Sequence, residues 1–212
     1  MIYLLNNQKF DEVKNLPVIE IEYKKVDINF NVDYLLFTSK NGVIAVDKIS
    51  DEWKNIPAIC IGKPTANMVK KFGGKVGYIA KSSYGDDLAI EIINNFKPSK
   101  ILFLRAKKVL SNIVEVLKEN NFEVIEKIVY ETKCKKLDFI PESGIFIFTS
   151  PSTVKCFLSQ TKWKKTYKAV AIGTRTAESF PDEIEISDIQ TIDNCIKIAK
   201  RIKNETNTLW NS

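Results

Sequence analysis

Phe37-Thr38-Ser39-Lys40-Asn41-Gly42-Val43 returns as Phe148-Thr149-Ser150-Pro151-Ser152-Thr153-Val154. Ile61-Gly62-Lys63-Pro64-Thr65-Ala66 returns as Ile172-Gly173-Thr174-Arg175-Thr176-Ala177. Both pairs keep one offset, from 37 to 148 and from 65 to 176. Two matches at one spacing indicate an internal duplication, hence two similar halves facing one another. Each repeated piece reads as a strand that runs into a hydroxyl-bearing turn and opens a helix, a place where anions bind.

The surrounding pattern agrees. Short apolar runs such as Tyr3 to Leu5, Val18 to Ile21, Tyr34 to Thr38, Ala58 to Ile61 and Val76 to Ala80 alternate with helical spacings. Ile101 to Leu104, Val124 to Tyr130, Ile145 to Thr149, Ala169 to Ile172 and Ile184 to Ile186 continue the series. Val109, Leu110, Ile113, Val114 and Leu117 form one predicted helix face, and Ile192, Ile196, Ala199 and Ile202 another. The class is therefore α/β with parallel sheets, about ten strands in two sheets of about five. Tyr23 and Tyr130 are each expected to close a strand before a charged segment. Chain order suggests two sequential domains meeting near Pro98, with the placement of the leading strands open.

Length and composition narrow the function. The 212 residues suffice for one large or two small domains, and 44% hydrophobic with 27% charged residues is ordinary for a globular protein. No apolar run is long enough for a membrane helix, and the first residues lack the features of a signal peptide. Cys60, Cys134, Cys156 and Cys195 form no C-x-x-C pair; two of them sit inside apolar strand or helix patterns, where reduced, buried thiols are expected, and a cytoplasmic location fits. The absence of histidine excludes histidine-based triads and dyads and removes the commonest zinc ligand. A net charge of +6 is spread along the chain, which argues against nucleic acid and suits a small polyanion.

In an open parallel sheet, ligands lie outside the carboxyl ends of the strands. Thr38, Ser39, Thr65, Thr149, Ser150, Ser152 and Thr176 all follow strands and are expected to cap helices there. Taken singly, each reads as a plain cap; four matched turns point to a shared anion-binding cleft. Lys40, Arg105 and Arg175 lie beside these turns, where they can pair with carboxylates or stand in solvent. No P-loop and no G-x-G-x-x-G follows a strand, so no nucleotide cofactor is indicated. Tyr130 is either an ordinary strand tyrosine or a proton donor, since a phenol titrates near 10.

F-T-S-x-x-x-V, I-G-x-x-T-A, L-R-A-K-K, V-Y-E-T, F-T-S-P-S and A-I-G-T-R-T-A, in that order from about Met1 to Lys203, resemble uroporphyrinogen-III synthase. The resemblance implies two doubly wound domains of about five strands each, joined by a two-stranded linker, with the active site in the cleft between them. The first domain would comprise 1–22 plus 133–212, and the second 23–132. The implied reaction takes hydroxymethylbilane, a linear tetrapyrrole with eight carboxylates, to uroporphyrinogen III. Loss of the terminal hydroxyl leaves an azafulvene, and closure through a spiro intermediate inverts ring D. No cofactor or metal is implied.

The family's tyrosine matches Tyr130, and its hydroxyl positions match Ser39, Thr65, Ser150, Ser152 and Thr176. Lys40 stands where proline is common, Arg175 where threonine is, and Ala106 where glycine is. Lys40, Arg105 and Arg175 would add charge for the substrate's carboxylates. The resemblance also implies a monomer, free of membrane and nucleic acid, in transient contact with the preceding pathway enzyme. The competing reading is a non-catalytic two-domain binder of a small polyanion.

Overall fold

A computed structural model describes residues 1–82 and 84–209. The chain divides into two compact units, one of residues 1–20 with 133–212, the other of residues 21–132. Residues 210–212, the end of the expected first domain, lie outside the described residues. Pro98 falls in a turn inside the 21–132 unit, so the sequential division suggested by chain order is not adopted.

In the 21–132 unit, β4 (Tyr34–Phe37) is the central strand. Around it lie β5 (Ala58–Cys60), β6 (Val76–Ile79), β7 (Lys100–Ala106), β8 (Glu123–Cys134) and β3 (Ile19–Tyr23), in the order β3-β8-β7-β4-β5-β6. The pairs from β8 to β6 are parallel. The edge strand β3 runs the other way: Lys24 N–H donates to Val129 O at 2.9 Å and Lys135 N–H to Val18 O at 2.8 Å. One strand against the direction of the rest differs from the all-parallel expectation.

Both faces of this sheet are covered, which is why Leu35, Leu36 and Phe37 are all buried. Leu35 and Phe37 pack with α1 (Lys40–Asp47), α2 (Gly62–Lys71) and Trp53 of a 3-10 turn. Leu36 and Phe103 pack on the opposite face with α3 (Gly85–Asn95) and α4 (Ile113–Glu119). The fourth helix starts later than its periodicity suggests. Val109 and Leu110 precede it; Val109 packs against the core on that face, while Leu110 is 73% exposed.

The second unit carries β1 (Ile2–Leu4), the two-residue β2 (Lys14–Asn15), β9 (Gly144–Phe148), β10 (Tyr167–Ala171) and β11 (Glu185–Ile186). Their order is β11-β10-β9-β1-β2, all parallel. One face buries Phe146, Phe148, Phe157 of α5 (Pro151–Leu158), Tyr167 and Phe180, with Trp163 packed against them. The other buries Ile145 and Ile147 under Cys195, Ile196 and Ala199 of α7 (Ile192–Leu209). A short helix, α6 (Thr174–Ala177), follows β10.

Cys134 and Cys156 form a disulfide. No spacing in the sequence marks this pairing. The partners are 22 residues apart, and only the packing of the end of β8 beside α5 brings them together. Cys60 and Cys195 are free and buried, and burial pushes the Cys60 thiol up to about 12.

Candidate active site

Each sheet reverses its strand order once, and the crevice at that reversal is where doubly wound sheets hold ligands. In the 21–132 unit the reversal lies between β4 and β7, so the turn after β4 borders it. Ser39 caps α1 there, in extended conformation, and its oxygen accepts from Asn41 N–H at 3.2 Å. Lys40 is the first helical residue. Gly42 lets the helix come down on β7, since a Cβ there would stand 2.6 Å from the Leu104 carbonyl oxygen.

In the other unit the reversal lies between β1 and β9, and the turn after β9 borders it. Ser150 caps α5 in a reciprocal box: it accepts from Thr153 N–H at 3.3 Å, and the fully buried Thr153 hydroxyl accepts from Ser150 N–H at 3.2 Å. Asn6, just past β1, donates to Thr149 Oγ1 at 3.3 Å across the reversal. Neither Thr153 nor Asn6 is among the hydroxyl positions expected from the motifs. An S/T-x-x-T pattern signals the first; the second has no local signal.

Thr65 and Thr176 do not cap helices. The second helix begins at Gly62 behind Ile61, and α6 begins at Thr174 behind Gly173, so both threonines sit inside the first turn. Gly62 adopts a φ of 69°, a left-handed turn that starts the helix early. Both threonines are buried, at 4% exposure. Ser152 and Arg175 are half-buried on α5 and α6.

Tyr130 does not end its strand as expected, for β8 continues to Cys134. The parallel register of β7 and β8 slips by one residue at this point, from Arg105 opposite Ile128 to Ala106 opposite Tyr130. In a regular strand, Val129 and Tyr130 would point to opposite faces. The bulge re-aims the phenol, so both residues join the core beneath α1 and α2. Tyr130 therefore stands on the Ser39 side of the sheet.

Burial raises the Tyr130 phenol above its ordinary value, the Ser39 hydroxyl beside it acts the other way, and Tyr23 adds to the rise. The neutral phenol is thus the form held at physiological pH, an acid and donor rather than a base. Tyr23 ends β3 and carries Lys48 Nζ over its ring at 3.9 Å. On the exposed side, Lys107 and Lys24 flank Glu131 at 3.0 and 3.3 Å and hold its carboxyl below the usual range.

Arg105 is engaged within the protein. Its Nε lies 2.6 Å from Glu126, and its Nη1 donates to the carbonyls of Ala106 and Lys107 at 2.9 and 3.2 Å. Among the described residues no group of three acidic or cysteine side chains could hold a metal ion, and no helix is long and apolar enough to cross a membrane.

The family model for uroporphyrinogen-III synthase HemD matches residues 8–184. The chain belongs to the uroporphyrinogen-III synthase family. Uroporphyrinogen-III synthetase from Helicobacter pylori is 26% identical, with a TM-score of 0.81 over 95% of this chain and 98% of that one. A mutant uroporphyrinogen III synthase from Thermus thermophilus shares the fold at 12% identity and a TM-score of 0.62, over 96% and 98%. Comparison with curated protein sequences gives no match. The uroporphyrinogen-III synthase family acts in haem biosynthesis, on a small-molecule substrate of tetrapyrrole synthesis.

Proposed function

We propose that this chain is a lyase that removes water from hydroxymethylbilane and closes the product with ring D inverted, giving uroporphyrinogen III. The observation that carries the chemistry is Tyr130: a buried, neutral phenol turned by a strand bulge toward the Ser39 turn. Tyr130 donates its hydrogen bond or proton to the departing hydroxyl. General acid assistance of this kind is worth about 10²–10⁴-fold.

The substrate is itself prone to lose water and cyclise, so holding one folded conformer supplies much of the remaining effect. Ser39 and Lys40 on one unit, and Ser150, Ser152 and Arg175 on the other, take acetate and propionate groups at their helix starts. Thr65 and Thr176, inside their helices, shape the walls of these turns. Division into two doubly wound domains with a two-stranded linker, action as a cytoplasmic monomer, and transient contact with the preceding pathway enzyme belong to the same reading, which rests on the family resemblance.

The test is isomer analysis. The protein is mixed with freshly prepared hydroxymethylbilane, and the oxidised products are separated into type I and type III. A large excess of type III is expected. Type I alone at the uncatalysed rate would leave a binder of small polyanions.

A further inference from the structure

The bulge that aims Tyr130 needs something to hold it. A regular parallel ladder has evenly spaced bonds, and a slipped residue interrupts them. Here the slip falls where β7 ends, and Lys107 N–H donates to the Tyr130 carbonyl at 2.9 Å. The backbone from Ala106 to Lys107 is therefore the partner on which Tyr130 rests.

Arg105 grips that backbone. Its Nη1 bonds the carbonyls of both Ala106 and Lys107, while its Nε makes an ion pair with Glu126 on β8, at a contact of charge rather than an aligned hydrogen bond. Alternation along β7 places Leu102 and Leu104 on the α1–α2 side and Ile101 and Phe103 on the α3–α4 side. Arg105 continues the second series, so its side chain lies on the face away from Tyr130. A planar fork that bonds two carbonyls and one carboxylate at once is a geometry lysine does not reproduce.

We propose that Arg105 is a positioning residue: from behind the sheet it ties the end of β7 to β8, and so fixes the bulge that presents Tyr130. The inference rests on the assignment of Tyr130 as proton donor and gives Arg105 a role other than carboxylate binding.

The experiment compares Arg105→Gln and Arg105→Lys in wild-type and Tyr130→Phe backgrounds, with hydrogen exchange read at the Lys107 amide. Arg105→Gln is expected to lower kcat for type III formation about ten-fold, with KM within about two-fold, the signature of lost transition-state alignment. Arg105→Lys should recover part of the loss by keeping the charge opposite Glu126. In the Tyr130→Phe background Arg105→Gln should add nothing, because the group it positions is gone. Exchange at Lys107 should quicken in Arg105→Gln.

A large rise in KM at unchanged kcat, persisting without the Tyr130 hydroxyl, would make Arg105 a direct carboxylate ligand and overturn the proposal. So would unchanged exchange at Lys107. If the wild-type protein forms no type III isomer, the function fails on its own, and the exchange measurement still decides whether Arg105 holds the bulge.

Discussion

The turn after β4 and the turn after β9 start from the same Phe-Thr-Ser and end differently. Thr153 in the second turn corresponds to Gly42 in the first. In the second, the Thr153 hydroxyl completes a reciprocal cap with Ser150, and Cys156 on the same helix is tied to Cys134. In the first, Gly42 lies against the Leu104 carbonyl, where no threonine side chain fits, and Ala45 stands at the position of Cys156. Ser39 accepts from Asn41 N–H and has Tyr130 beside it. One copy of the motif has been consolidated as structure, and the other retains a hydroxyl next to Tyr130. A repeated sequence can thus fold alike and serve unlike ends when one small residue decides what its cap can bond.

The contrast can be broken at Tyr130 first. Tyr130→Phe removes the phenol and keeps the ring in its core, so type III formation should slow by about 10²–10⁴-fold while the fold persists; steady-state rates with thermal melting check both parts. Unchanged turnover would take Tyr130 out of the mechanism. On the structural side, Cys156→Ser should lower the stability of the oxidised protein by about 2–4 kcal/mol. Urea unfolding with and without reductant should show the same loss for reduction as for the substitution.

Making the first turn resemble the second should fail. Gly42→Thr forces a side chain against the Leu104 carbonyl and is expected to cost about 1–3 kcal/mol or more. Thr153→Ala, which removes the box, should cost about 1 kcal/mol. Parallel denaturation curves of the two variants would sharpen the comparison, and a neutral Gly42→Thr would dissolve it.

The smallest effect concerns pH. The folded Tyr130 phenol titrates above the unfolded value near 10, so its contribution to stability is complete below pH 10 and is lost as pH rises through the folded value. Ser39→Ala removes the hydroxyl that opposes this rise, so Tyr130 should titrate higher still. Following the Tyr130 phenol by carbon NMR from pH 9 upward checks the sign.

Much of the architecture was legible because its signals are local. Alternating periods marked strands and helices, and the Phe-Thr-Ser and Ile-Gly repeats placed turns at the carboxyl ends of β4, β5, β9 and β10. The six-stranded sheet exceeds the expected five by its antiparallel edge strand, which alternates apolar and charged residues. Thr65 and Thr176 do not cap because a preceding glycine starts each helix early, and Leu110 leaves the predicted face because the helix starts only at Ile113.

From the sequence alone came the α/β class, the duplication, the hydroxyl turns and, through its resemblance, Tyr130 as the residue to watch. Only the tertiary structure decided that Cys134 meets Cys156, that Arg105 is held by Glu126, and that a slipped residue turns Tyr130 toward Ser39. The reason is range: helix and strand periods are written in neighbouring residues, whereas a disulfide, an ion pair and a bulge depend on which distant strands lie side by side and in what register.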